Sequence, residues 1–147
     1  MNSNVLIVDD NPDNLLILQT ILRKNGFRVR TAAGGREALA LLAAEVPDAV
    51  LLDVMMPDMN GLEVLERIRE TPATARLPVI MVTAKSHDED VLRGYQCGAD
   101  YYITKPCTAR QLLYGLEMVL RQLNRGAEVS EQTDDAGGGK PNDAGAT

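Results

Sequence analysis

The chain has 147 residues, with 15 Lys and Arg against 21 Asp and Glu and 45% apolar side chains. That is enough apolar material for the core of one ordinary domain and too much for a wholly disordered chain. A net charge of -6 argues against a nucleic-acid surface spread over the whole chain, and no apolar run approaches the roughly 18 residues of a membrane span. The start, Met1-Asn2-Ser3-Asn4, lacks the basic segment and apolar stretch of a signal peptide. Two cysteines are too few for a disulfide framework, so a reducing, cytoplasmic setting is expected.

In chain order, short β-branched runs alternate with longer amphipathic ones. A strand is expected at 4–8, followed by a helix that opens at Asn11-Pro12, keeps Leu15, Leu18 and Leu22 at helical spacing and stops at Gly26. The second strand, 28–32, alternates in polarity as an exposed edge strand does. A helix from about 36 to 44 leads to a strand at 49–52, and a helix at 61–70 places Leu62, Leu65 and Ile68 on one face. The fourth strand is expected at 79–82. The next helix, 88–97, opens with Asp88, Glu89 and Asp90 beside the positive end of its dipole and ends at Gly98. The fifth strand, 100–103, precedes a helix carrying an apolar stripe from Ala109 to Leu123. The first, third and fourth strands are almost continuously apolar, as strands covered on both faces are. Five strand–helix units in alternation predict a doubly wound α/β fold, a parallel sheet between two helical layers.

Of the basic and acidic residues, the last 22 positions, from Gly126, take one and five, which leaves 14 and 16 in residues 1–125. Val129 is the one large apolar residue of that stretch. A folded domain over 1–125 and a disordered acidic, Gly-rich tail or linker over 126–147 are expected. The tail is also too short for a helix-turn-helix output module.

In a doubly wound sheet, ligands bind beyond the carboxyl ends of the strands. There the sequence places Asp9 and Asp10 after the first strand, Asp53 after the third, Thr83 after the fourth, and Thr104-Lys105-Pro106 after the fifth. Singly, each is an ordinary loop residue or helix cap. If the first and third strands are neighbours, their ends lie about 5 Å apart and the three carboxylates converge. Three carboxylates that close need a cation, and an oxygen-only donor set favours a hard ion such as Mg²⁺ over zinc. With Lys105 as a second positive charge and the Thr83 hydroxyl as a donor, the group suits a phosphoryl ligand.

Four motifs carry a family resemblance: Val8-Asp9-Asp10, the run LLDVMMPDMNG from Leu51 to Gly61, Val82-Thr83-Ala84, and Lys105-Pro106. In order and spacing they resemble the receiver domain of bacterial two-component response regulators, over residues 4–125. The resemblance implies a flavodoxin-like strand order 2-1-3-4-5 in a three-layer sandwich. It also implies that Asp53 is the phosphoacceptor, taking a phosphoryl group from a phosphohistidine of a sensor histidine kinase or histidine phosphotransfer protein. Asp10, Asp53 and the backbone carbonyl of Met55 are then the ligands of Mg²⁺ (or Mn²⁺), with Asp9 acting through water. Lys105 pairs with the phosphoryl oxygens, Thr83 moves to bond them, and Tyr102 is the aromatic that follows. The Lys105–Pro106 bond is cis in the family.

The function so implied is a phosphorelay switch and not an enzyme, beyond assisting its own phosphorylation and dephosphorylation. Its output surface includes Tyr102, Tyr114 and Met118, and it regulates a downstream protein without binding nucleic acid or membrane itself; a homodimer on phosphorylation is compatible with it. Met55 and Lys85 flank the path of an attacking water, and Met55 is expected to lengthen the phosphoryl lifetime. Alternatives are a receiver cut from a larger regulator and a metal-dependent phosphatase with Asp53 as nucleophile, although Met55 stands where the haloacid-dehalogenase type needs Asp. The remaining candidates read as structural. His87 is a loop residue, Cys97 and Cys107 lie too far apart for a disulfide, and Gly34-Gly35 is a turn that lacks the Lys-Ser/Thr of a phosphate cradle.

Overall fold

A computed structural model describes residues 3–121; the tail from Gly126 lies outside them. Strands β1 (Asn4–Val8), β2 (Arg28–Ala32), β3 (Ala49–Leu52), β4 (Val79–Thr83) and β5 (Tyr101–Thr104) alternate with helices α1 (Pro12–Lys24), α2 (Gly35–Ala44), α3 (Gly61–Glu70) and α4 (Asp88–Gln96), and α5 runs over 109–121. A short 3-10 turn at Pro72–Thr74 follows α3 and was not expected from the sequence. All strand pairs are parallel, in the order β2-β1-β3-β4-β5. No described helix is long and apolar enough to cross a membrane.

Strand periodicity divides the core. Leu6, Val8, Val50 and Leu52 face one side, where they pack with Ala38, Leu42, Val64, Leu65 and Ile68 of α2 and α3. Val5, Ile7, Ala49 and Leu51 face the other, packing with Leu18 and Leu22 of α1 and Leu112 and Leu116 of α5. Each buried aliphatic side chain contributes about 1.5–3 kcal/mol of transfer free energy. Covering both faces therefore favours apolar residues along β1, β3 and β4, where Asn4 and Thr83 at the strand ends are the polar exceptions and all but Asn4 are buried. The edge strand β2 is mostly half-exposed. Cys97 packs against the first core and Cys107 against the second, so the sheet separates them and both are free thiols.

The fifth strand spans Tyr101–Thr104, one residue later than expected. The exposed Asp100 before it donates its N–H to the Val79 carbonyl (2.9 Å), while its carboxylate accepts from the Val79 N–H (2.8 Å) and from Arg69 Nη2 (2.9 Å). At this amino end of the sheet Arg69 also donates to the carbonyls of Leu77 (2.6 Å) and Gly98 (2.8 and 3.0 Å). Gly98, at φ +110°, turns the chain from α4 into β5 in a conformation that a Cβ would strain.

Candidate phosphoacceptor site

The carboxyl ends of β1 and β3 are adjacent because Val8 pairs with Leu52, and the Asp53 N–H donates to the Val8 carbonyl at 3.1 Å. The residues that follow, Asp9 and Asp53, are therefore carried to the same edge. Asp9, Asp10 and Asp53 each offer an oxygen within 4.8 Å of the others. Asp9 and Asp53 are buried, at 2% and 6% exposure, while Asp10 is exposed.

Their partners distinguish the three. Asp9 Oδ1 accepts from the Asn11 N–H (2.9 Å), and its Oδ2 accepts from Lys105 Nζ (2.6 Å) and Asn14 Nδ2 (3.4 Å). Asp53 Oδ1 accepts from the Met55 N–H and Oδ2 from Lys105 Nζ, each at 3.1 Å. The Asp10 carboxylate has no hydrogen-bond partner among the described residues. Lys105 thus bridges the two buried carboxylates. Burial alone would lower its ammonium pKa, but the hydrogen bonds and charges of Asp9 and Asp53 outweigh burial and hold it above the ordinary value. Three carboxylates against one ammonium leave an excess negative charge in a pocket of hard oxygen donors, the donor set Mg²⁺ prefers. The residues fit the ion: Asp10 is free to ligate, whereas the oxygens of Asp9 and of Asp53 already accept hydrogen bonds that an ion would share or replace.

Thr83 lies at the end of β4, completely buried, and its Oγ1 accepts from the Lys85 N–H at 3.3 Å. Its own hydroxyl hydrogen has no acceptor among the described residues. The Tyr102 hydroxyl donates to the Lys85 carbonyl at 2.8 Å, so the residues after Thr83 are tied to β5. The Tyr102 ring lies on α4 at Gly94, where a Cβ would come within 2.8 Å of it. Burial, then the charges of Asp90 and Asp53, push the Tyr102 phenol up to about 12. The Lys105–Pro106 bond is cis. Tyr114 is exposed and Met118 half-exposed on α5; His87 is exposed and caps α4 only through its backbone.

Two residues that the sequence marks only as a helix opening and a motif end also contribute to the site. Asn11 both caps α1 and donates to Asp9. Gly61 donates its N–H to the Val54 carbonyl at 2.8 Å, and a Cβ there would overlap the Asp53 carbonyl oxygen. An N-cap signal marks Asn11 in the sequence, but the close approach at Gly61 has no local signature.

The response regulator receiver domain pattern matches residues 5–117. The chain belongs to the response regulator receiver family. It is 37% identical over 135 residues to the alkaline phosphatase synthesis transcriptional regulatory protein PhoP of Bacillus subtilis, covering 92% of this chain and 55% of that protein. The CheY-like receiver domain protein of Methanospirillum hungatei superposes with a TM-score of 0.80 at 32% identity, covering 86% of this chain and 99% of that one. The chemotaxis protein CheY4 of Vibrio cholerae gives 0.77 at 33% identity, over 81% and 99% of the two chains. The chain spans about half the length of the curated relatives it matches. The receiver architecture with strand order 2-1-3-4-5 and a role in phosphorylation-based signalling follow from this membership.

Proposed function

We propose that Asp53 is the phosphoacceptor of a two-component phosphorelay. The observation that carries this reading is the buried Asp53 carboxylate held by the Met55 N–H and Lys105 beside two further carboxylates. An Asp53 oxygen forms a bond to the phosphorus of a phosphohistidine while the phosphorus–nitrogen bond breaks and the imidazole leaves. Lys105 turns from Asp9 and Asp53 toward the phosphoryl oxygens, and the Thr83 hydroxyl donates to one of them. Asp10, Asp53 and the Met55 carbonyl would hold Mg²⁺ (or Mn²⁺), with Asp9 orienting its water. When bound, the ion neutralises charge that builds on the phosphoryl oxygens.

The donor is a sensor histidine kinase or histidine phosphotransfer protein. It meets the chain at an apolar groove of about 400 Å³ beside the site, lined by Ile17, Ile21, Ala84, Lys105 and Pro106. Ile17 is 56% exposed there. An apolar surface bordering a charged reaction site is suited to holding a partner while its phosphoryl group reaches Asp53.

Drawing Thr83 toward the phosphoryl group shifts the Lys85 carbonyl that Tyr102 holds. The fourth-helix, fifth-strand and fifth-helix surface, with Tyr102, Tyr114 and Met118, thereby gains a second arrangement. That surface regulates a downstream protein, a further domain, or a second copy of the chain. A phosphatase reading draws no support, because the position two after Asp53 is Met55, whose thioether carries no proton.

The test is to expose the protein to acetyl phosphate and Mg²⁺ and to weigh it intact. One added phosphoryl group in wild type and none in Asp53→Asn is expected. An adduct that persists in Asp53→Asn overturns the assignment.

A further inference from the structure

Between β3 and α3 the chain makes a loop whose outer side is tied to α2 by one residue. Asp58 Oδ1 accepts from the Gly35 N–H and Oδ2 from the Arg36 N–H, each at 3.1 Å. Among the described residues, no other hydrogen bond joins 55–60 to an element outside the β3–α3 unit. The cap residue of α2 is Gly34, which has no side chain to satisfy those N–H groups. Asp58, 23 residues beyond Gly35, supplies the missing cap from across the fold.

The two segments are shaped for this approach. A Cβ at Gly34 would lie 2.8 and 2.9 Å from the Asp58 carboxylate oxygens. One at Gly35 would lie 2.7 Å from Val64 Cγ2 and 2.8 Å from the Met59 Cβ. The Gly34-Gly35 turn therefore serves as a seat for the loop. Inside the loop Met56 is buried and Met59 packs on the core. The Met55 side chain is exposed, and its N–H holds Asp53 Oδ1.

We propose that Asp58 is a positioning residue of the phosphoacceptor site: by clamping the loop to the first turn of α2, its carboxylate fixes the Met55 peptide. The Met55 N–H holds Asp53 Oδ1, and the Met55 carbonyl, in the following peptide group, would be the third protein ligand of the ion; this second part rests on the phosphoacceptor reading above. Local capping of the same helix is separable from the clamp, because Glu37 Oε1 accepts from the Ala33 N–H (2.9 Å) without touching the loop.

Two readouts on the full chain test it. Hydrogen exchange at the Met55 amide, measured without metal, is expected to speed up about tenfold or more in Asp58→Ala and to stay at the wild-type rate in Glu37→Ala. The Mg²⁺ dissociation constant, measured by calorimetry on unphosphorylated protein, is expected to rise about tenfold in Asp58→Ala, the lower end of what outer-shell changes cause. Gly34→Ala pushes the same carboxylate from the other side and weakens Mg²⁺ as well. The double variant is no weaker than Asp58→Ala, because both changes break one contact. Where Asp58→Ala does not fold, Asp58→Asn, which keeps one acceptor oxygen, must show the same two changes in smaller degree. Unchanged Met55 exchange in Asp58→Ala, or equal effects from Glu37→Ala, overturns the clamp. Wild type that binds no Mg²⁺ defeats the phosphoacceptor reading instead, and leaves the metal-free exchange to judge the clamp alone.

Discussion

The two ends of the sheet hold polar networks built on opposite principles. At the amino end, Arg69 is matched to the carbonyls of Leu77 and Gly98 and to one carboxylate, Asp100, which also takes the Val79 N–H. One cation meets one anion, and the carbonyls take up the remaining donors. At the carboxyl end a single ammonium faces three carboxylates, one of them without a hydrogen-bond partner, and a buried hydroxyl keeps an unused proton. A satisfied network holds the fold, whereas an unsatisfied one is poised for a ligand that brings the missing charge. The difference lies in charge balance and in unused valence. Burial alone does not mark it, since Arg69 and Lys105 are both 20% exposed.

The sharpest way to break this contrast is at Arg69. Replacing it by Met removes the donor of the Gly98 and Leu77 carbonyls and one of the two donors to Asp100, and is expected to destabilise the protein by about 3 kcal/mol in urea unfolding. Phosphoryl uptake per folded molecule should stay at the wild-type level. Lost uptake without lost stability would erase the distinction between the two ends.

At the other end, Mg²⁺ at a hundred times its dissociation constant is expected to stabilise wild type by about 2.7 kcal/mol. Asp10→Asn should lose most of that gain, yet in metal-free buffer it should be more stable than wild type by about 0.5–1 kcal/mol, as one like charge leaves the cluster. Thermal melts with and without Mg²⁺ read both effects, and a metal-free loss of stability would contradict the repulsion described here.

Met55→Asn adds a side chain that can orient water toward the phosphoryl group. One hydrogen bond of about 1 kcal/mol corresponds to roughly fivefold faster phosphate loss. Identical decay of the two phosphorylated proteins would remove Met55 from the account.

The smallest effect concerns Tyr102. Its phenol, raised from 10.0 to about 12, keeps its proton in the folded state after an unfolded-state phenol has lost one. Stability attributable to it is therefore full below pH 10 and declines as the pH rises toward 12. Ultraviolet titration should show a tyrosinate step near 12 that Tyr102→Phe lacks.

Much of this was readable in the residues. The alternation of apolar runs places β1, β2 and β3 at their observed bounds, and Asp9, Asp53, Thr83 and Lys105 all fall at strand ends. β4 and β5 each run one residue further than expected, because Thr83 and Thr104 pair with each other, a match between strands that no local pattern reveals. Which strands are neighbours came from the four motifs and not from periodicity, because a parallel crossover encodes no partner in its own sequence.

The initial net charge of -6 determined little about the site, since five of the 21 acidic residues lie beyond Gly126. By itself the sequence determined the strand–helix alternation and the residue types available at the carboxyl edge, because both follow from local periodicity and turn chemistry. Only the tertiary structure decided that Lys105 bridges Asp9 and Asp53 while Asp10 stands free, that Thr83 keeps a proton to give, and that Asp58 caps a helix 23 residues behind it. Those are distances between segments far apart in the chain, and they exist only once both faces of the sheet are packed.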